Sequence, residues 1–226
     1  VNILVKGTTS GTITDFNGKP FQAAFKLYRH CFDNLDFMGV WSDVDGRFSI
    51  TVPQGIYNVF YLDDDSYRKT SLECWGWHMI VDGDEEFHFK IGNGEVYSMA
   101  PWVSNGGIST MFIFFRPMIL GKDQTFETTI SGRTFKGKDI CPDLELEDIR
   151  VTLNGCPTQL SSLQRIYETG LNGGAMPAYV VQIAKWVNGS PTVGKQTLIL
   201  EYDNQRRKDN DNNIILAQSQ GLAQFY

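Results

Sequence analysis

Short runs of alternating apolar and polar residues, separated by turn residues, fill the chain between Gly11 and Leu62. The runs are "GTITD", "FKLYRHC", "RFSITV" and "IYNVFYL", and the turns between them are "NGKP", "DVDG" and "PQG". In the second run Phe25, Leu27 and Cys31 fall on one face of an extended strand, and Lys26, Tyr28 and His30 fall on the other. Such alternation with tight turns is typical of antiparallel sheets with one wet face. The pattern predicts an all-β fold built from sandwiches.

The same stretch carries a family resemblance. The order "GTITDFNGKPFQAAFKLY" followed by "SDVDGRFSITVPQGIYNVFY" resembles the carboxypeptidase regulatory-like domain, a transthyretin-like sandwich, although Ser42 stands where that pattern usually has threonine. Gly18 and Gly46 are expected at positive φ in its hairpins, and Pro20 at the exit of a turn. The resemblance implies a non-catalytic accessory, adhesive or spacer module, mostly in secreted and surface proteins, bacterial ones among them. It transfers no functional residue.

The length of 226 residues suggests two domains of about 100 to 120 residues each. The segment "EVYSMAPWVSNGGISTMFIFFRPMIL" is expected to complete the first sandwich, so we predict a carboxypeptidase regulatory-like domain over residues 1–120. Further strand-like runs, such as "AYVVQIAKWVNG" and "KQTLILEYDN", follow it. They predict an immunoglobulin-like sandwich over residues 121–226.

Charge and hydropathy narrow the classes of partner. The formal net charge is -6, and no cluster of basic residues is larger than "QRRK". We therefore expect that the protein does not bind nucleic acid. The longest apolar run, near "STMFIFF", is far shorter than the ~20 residues of a membrane span and is expected to be a buried strand.

Four cysteines, Cys31, Cys74, Cys141 and Cys156, lack CxxC spacing and histidine partners at zinc-site intervals. Two disulfides or four buried thiols are both consistent with this count. In the first case Cys141 and Cys156 would close a loop, and Cys31 and Cys74 would bridge two sheets.

The stretch "SLECWGWHMIVDGD" is the strongest candidate for a binding site. In an extended strand Trp75 and Trp77 share one face, roughly 6.5 Å apart, while His78 points to the other. Rings with this spacing stack well on sugar rings. We therefore predict a carbohydrate site of Trp75 and Trp77, joined by Trp102 and Tyr97. The alternative is that these aromatic side chains pack at the interface between the two domains.

Two acidic clusters, residues 63–66 and 82–86, offer oxygen ligands of the kind that calcium takes. Neither follows the EF-hand order, and Asp is common in turns for its own backbone hydrogen bonds. We therefore expect no cofactor, with calcium as the alternative.

Catalytic motifs are absent from the sequence. It has three histidines and no nucleophile elbow, zinc-protease motif or phosphate-binding loop. A carboxylate pair such as Glu73 with Asp82 or Glu85 is of the type that glycoside hydrolysis uses, although the reaction also needs a cleft and a set separation. Cys74 and His78 would form a thiol-imidazole pair on one strand face, but a buried cysteine beside a hydrogen-bonded histidine is the more common arrangement. The sequence thus favours a non-catalytic, secreted or cell-surface binding module for a glycan, with a structural or adhesive spacer as the alternative and a glycan-active hydrolase as a distant third.

Overall fold

The computed structural model describes residues 5–30, 37–104, 110–184, 194–206 and 216–226. The prediction of an all-β fold is confirmed, since the described residues form strands, turns and one short 3-10 turn, Leu146–Asp148. No helix within these ranges is long and apolar enough to cross a membrane. The strands are β1 (Lys6–Asp15), β2 (Ala24–Tyr28), β3 (Phe37–Trp41), β4 (Arg47–Pro53), β5 (Gly55–Asp63), β6 (Cys74–Val81), β7 (Glu85–Ile91), β8 (Gly94–Val103), β9 (Thr110–Ile119), β10 (Gln124–Ile130), β11 (Arg133–Asp139), β12 (Ile149–Leu153), β13 (Cys156–Pro157), β14 (Leu160–Thr169), β15 (Ala175–Ala184), β16 (Gln196–Asn204) and β17 (Ala217–Phe225).

The first sandwich contains strands β1 to β7. A three-stranded sheet, in the order β4-β1-β7, packs on strands β3-β2-β5-β6. Aromatic rings dominate the core between them, with Phe25 lying 4.9 Å from Phe48 and 5.4 Å from Phe60 between ring centroids. The two predicted hairpin glycines have the expected backbone, with φ of 79° at Gly18 and 74° at Gly46.

The second sandwich contains strands that lie on both sides of the predicted boundary at residue 120. A four-stranded sheet, β14-β15-β9-β8, packs on β12, β16 and β17 around a second core. Strands β8 and β9 therefore belong to this sandwich and do not complete the first one. The reason is that their apolar faces, with Val96, Met111, Ile113 and Phe115, line the second core. Sequence alternation had identified these strands but not the sheet that they join.

One sheet runs through both sandwiches. Its eight strands have the order β13-β12-β16-β17-β6-β5-β2-β3, and its centre is a short parallel pairing of β17 with β6. Gly221, Leu222 and Ala223 pair there with the "WGW" residues 75–77. The last strand of the chain thus joins the two sandwiches.

Buried glutamines of β17 extend this junction beyond the three paired residues. Gln224 Oε1 accepts a hydrogen bond of 2.6 Å from the Ile80 backbone NH, and Gln220 Oε1 accepts one of 3.0 Å from the Lys90 NH. The amide groups of the same side chains donate to Thr197 Oγ1 and Glu201 Oε1 of the second sandwich. Each glutamine therefore connects backbone of the first sandwich to a side chain of β16.

Candidate functional site

The "WGW" segment places its two indoles on one face of β6 and its glycine on the other. Trp75 and Trp77 stack with ring centroids 5.9 Å apart and planes 14° from parallel. On the opposite face a β-carbon at Gly76 would lie 1.8 Å from the ring of Phe60, so only glycine fits beneath that ring. The predicted alternation is confirmed for this segment.

The alternation ends at His78. This residue has a φ of 57°, a left-handed conformation that is uncommon outside glycine, and its side chain is exposed. The next residue, Met79, therefore points into the first core, whereas strict alternation would place it on the face of the tryptophans. Cys74 is buried and donates through Sγ to the Gln220 carbonyl, so it does not pair with His78.

Six aromatic rings form a continuous row across the outer face of the first sandwich and onto β8; we call it the aromatic row. Successive ring centroids are separated by 5.6, 5.6, 4.9, 5.9 and 6.4 Å. The row consists of Phe37, Tyr28, Tyr61, Trp75, Trp77 and Tyr97.

One end of the aromatic row, formed by Trp75, Trp77 and Tyr97, lies at the junction of the sandwiches. Trp75 is only 4% exposed, and Trp77 and Tyr97 are half-buried. Trp77 also packs against the second core, and Tyr97 comes from β8 of the second sandwich. Trp75, Trp77 and Tyr97 therefore come together as the sequence analysis expected, with little ring surface left open on Trp75.

Trp102 lies apart from this group. It is five residues beyond Tyr97 on β8, roughly 16 Å by the rise of a strand, and 46% of its surface is exposed. Its ring stacks on Phe112 of β9 with centroids 5.5 Å apart. Gln182 is the β15 partner of Phe112 and hydrogen-bonds Thr110 Oγ1 over 3.5 Å. This small surface pairs an exposed ring with an amide.

The charged groups beside the aromatic row are largely desolvated. The guanidinium of Arg116 lies 5.6 Å from the centre of the Tyr97 ring and pairs with Glu168. Burial lowers the pKa of Arg116. Glu73 and Glu95 are buried at the other end of the tryptophan pair, at 8% and 6% exposure.

Carboxylates of the two acidic clusters form ion pairs and hydrogen bonds with other side chains of the protein. Asp63 pairs with Lys26, and Asp64 accepts hydrogen bonds from Ser66 and Ser71. Lys195 contacts both Asp82 and Glu85. Asp82 and Glu85, the expected partners of Glu73, are therefore each paired with a cation. In the described part of the chain no three His, Cys, Asp or Glu side chains form a group able to hold a metal.

The cysteines of the described ranges are free thiols. Cys74 and Cys141 are buried and Cys156 is half-buried, and no disulfide joins Cys141 to Cys156. Cys31 lies outside the described residues.

Sequence reasoning missed two features of the surface and core. Trp41, on the edge strand β3, is 55% exposed and borders two shallow grooves. Glu95 lies near the start of β8, and its burial to 6% exposure depends on how β8 packs beside β6. The exposure of Trp41 could have been suspected, because a tryptophan stands there in a short strand beside a turn. Nothing in the sequence indicated that Glu95 would be buried.

Comparisons with known proteins identify no family. No family model matches the chain, and no curated protein does. Among solved structures the chain is similar to the full-length major pilin SpaD from Corynebacterium diphtheriae, with 10% identity and a TM-score of 0.31 over 98% of this chain and 65% of the pilin. It is similar to a DUF3823 family protein from Parabacteroides merdae ATCC 43184, with 11% identity and a TM-score of 0.29 over 95% and 98% of the two chains. It is also similar to BcpA, the major pilin subunit of Bacillus cereus, with 10% identity and a TM-score of 0.25 over 97% and 69%. TM-scores this low transfer neither a function nor a site.

Proposed function

We propose that this chain is a rigid, non-catalytic structural module of a secreted or cell-surface protein, a spacer whose aromatic residues fasten its two sandwiches together. The observation that carries the proposal is the single eight-stranded sheet that runs through both cores. A hinge between two sandwiches would need a linker with few contacts across it. Here the polypeptide crosses between the sandwiches with only Gly92 and Asn93 separating β7 from β8, and β17 returns to pair with β6.

Side chains at the junction support the same proposal. Trp77 contacts the second core from a strand of the first sandwich, and buried Gln220 and Gln224 hydrogen-bond to both. Large buried aromatic side chains, and buried amide groups that are fully hydrogen-bonded, resist movement of one sandwich relative to the other. The resemblance of residues 11–62 to the carboxypeptidase regulatory-like domain supports the secreted or surface location.

Single-molecule pulling on the two ends of the chain tests this proposal. A rigid spacer gives one rupture event that unfolds both sandwiches, and Trp77→Ala lowers the rupture force. The matched variant Trp102→Ala, at an exposed ring away from the junction, keeps the wild-type force. Two separate events in the wild-type chain, one for each sandwich, would contradict the proposal.

A second candidate function is glycan binding, and the exposed stack of Trp102 on Phe112 favours it. The exposed indole stacks on Phe112, and Gln182 follows Phe112 in the same row on the next strand, so an apolar platform and an amide lie in one row of the sheet. This combination suits a sugar ring. Trp75, Trp77 and Tyr97 contribute less to such a site, since only the half-buried rings of Trp77 and Tyr97 reach solvent.

Affinity electrophoresis on a panel of polysaccharides tests the second candidate. Retardation of the wild-type chain should be lost in Trp102→Ala and kept in Trp41→Ala, whose ring is exposed on the other sandwich. Equal retardation of all three chains, or loss in Trp41→Ala alone, would rule out the Trp102 surface.

A further inference from the structure

Strand β3 is an open edge of the eight-stranded sheet. It pairs with β2 on one side, and no described strand pairs with it on the other. Its sequence, "FMGVW", contains neither a charged residue nor a proline. Each of the other edge strands in the described sheets, β4, β7, β8, β10, β11, β13 and β14, contains at least one such residue. Charged side chains and prolines keep other chains from pairing with an edge, so β3 lacks the usual protection.

The backbone groups on the open side of β3 follow from its pairing with β2. Just beyond the strand, the Ser42 NH donates to the Ala23 carbonyl over 2.9 Å. Backbone groups of an antiparallel strand point alternately to its two sides. Phe37, Gly39 and Trp41 therefore turn their NH and carbonyl groups to the open side, and the residues between them turn theirs toward β2.

The open edge also presents two aromatic rings. Phe37 is 48% exposed and Trp41 is 55% exposed. Phe37 stacks on Tyr28, so the aromatic row ends at this edge. Met38 and Val40 pack against the first core and hold the strand in place. The edge thus offers a fixed set of hydrogen-bonding groups beside exposed apolar surface.

Carboxylates surround the Trp41 end of the edge. Trp41 borders one groove that Asp64 and Asp65 line, and a second groove that Asp43 and Glu86 line. Four acidic residues therefore lie around a single exposed indole. A cation is attracted both by such a group of carboxylates and by the face of the ring.

The described chain does not neutralise this charge. Arg47 is the only described cationic residue that lines either groove, and its guanidinium pairs with Asp45 over 2.7 Å. Asp65 and Glu86 form no ion pair with a described residue. The charge of the edge is thus complementary to that of a basic partner.

We propose that β3 binds an extended, basic segment of a partner protein, which adds to the sheet as a further strand. The backbone of this segment bonds to the outward groups of Phe37, Gly39 and Trp41, as in other cases of strand addition. Its lysine or arginine side chains lie over the Trp41 ring and beside the carboxylates. Apolar side chains on the other face of the added strand continue the row of Met38 and Val40.

Amide hydrogen exchange measured by NMR tests this proposal with a short synthetic peptide of alternating lysine and valine. Binding should slow exchange at Gly39 and Trp41, because their NH groups gain acceptors. Exchange at Val40, whose NH points to β2, should not change. The control is the same peptide with every backbone amide N-methylated, which keeps the charge and removes the donors. A dissociation constant weaker than about 1 mM for the first peptide, or equal binding of both peptides, would overturn the proposal.

Variants separate this edge from attraction by net charge. Trp41→Ala should weaken binding of the lysine–valine peptide about fivefold, whereas Trp102→Ala, at an exposed ring of the other sandwich, should not. Asp65→Asn should also weaken binding, and Glu127→Gln, which removes the same charge at an exposed position of β10, should not. Wild-type affinity in Trp41→Ala would overturn the proposal. Equal losses in Asp65→Asn and Glu127→Gln would also overturn it.

A second copy of the chain fits this edge less well than a basic segment. Strand β3 has no positive charge to offer, and Asp33 and Asp36 precede it in the sequence. Sedimentation equilibrium of the chain alone should therefore give the mass of a monomer. A wild-type dimer that Trp41→Ala dissociates would show that a second copy occupies the edge, and it would overturn the assignment of a basic partner.

Discussion

The ring of Phe60 lies directly over the backbone of Gly76, and a β-carbon at residue 76 would come within 1.8 Å of Phe60 Cε1. This contact explains why the two tryptophans are separated by a glycine. Trp75 and Trp77 fill the junction on one face of β6. The residue between them points to the opposite face, where it must leave room for the Phe60 ring of the first core.

Gly76→Ala should therefore destabilise the chain. Phe60 is fully buried and cannot move away without displacing its neighbours, so the cost should be about 1 to 3 kcal/mol in the free energy of unfolding, as for other overpacked cores. Urea unfolding measures it. The control is Gly83→Ala, because a β-carbon there meets nothing within 4 Å. Equal stability of the two variants would show that Phe60 does not constrain residue 76.

The two tryptophan positions should differ in their effect on stability. Trp77→Ala removes a ring that packs against the second core, and should cost at least about 2 kcal/mol. Trp102→Ala removes an exposed ring and should cost less than about 1 kcal/mol. Chemical denaturation of both variants checks this, and a larger loss for Trp102 would refute the assignment of the junction.

Gln224 should contribute through its hydrogen bonds. Gln224→Met keeps the approximate side-chain size but leaves the Ile80 NH without its acceptor, so it should cost about 1 to 3 kcal/mol. Gln205→Met, at an exposed residue whose side chain hydrogen-bonds Asp203 and no other part of the described chain, is the matched control and should be nearly neutral. Amide hydrogen exchange should also show faster exchange at Ile80 in Gln224→Met alone. Wild-type exchange at Ile80 would mean that this bond is not maintained in solution.

The thiols should react in the order of their exposure. Burial raises the pKa of Cys74 strongly and raises that of Cys141 to about 12, so both remain protonated near neutral pH. Cys156 is half-buried at the edge strand β13. Alkylation followed by peptide mass spectrometry should label Cys156 well before Cys74 and Cys141 in the folded chain. Early labelling of Cys74 would contradict the close packing of β6 against β17.

The local structure could be predicted from the sequence because alternation and turn chemistry are local properties. Gly18 and Gly46 have the positive φ that their hairpins require, and Trp75 and Trp77 share a face as strand geometry demands. The break at His78 could not be predicted, because its left-handed backbone has no glycine or asparagine to signal it.

The arrangement of the strands could not be predicted in the same way. The apolar face of β9 would fit either sandwich, and only its pairing with β15 determines that it lines the second core. The return of β17 to β6 likewise depends on contacts between residues far apart in the chain. Whether Trp75 is exposed follows from that packing and not from its spacing to Trp77.

Differential scanning calorimetry tests the central claim, that the two sandwiches form one rigid unit, most directly. At neutral pH the wild-type chain should unfold in a single transition whose van't Hoff enthalpy equals the calorimetric enthalpy. Trp77→Ala, which weakens the junction, should broaden or divide that transition. Two resolved transitions in the wild-type chain, one for each core, would contradict the account.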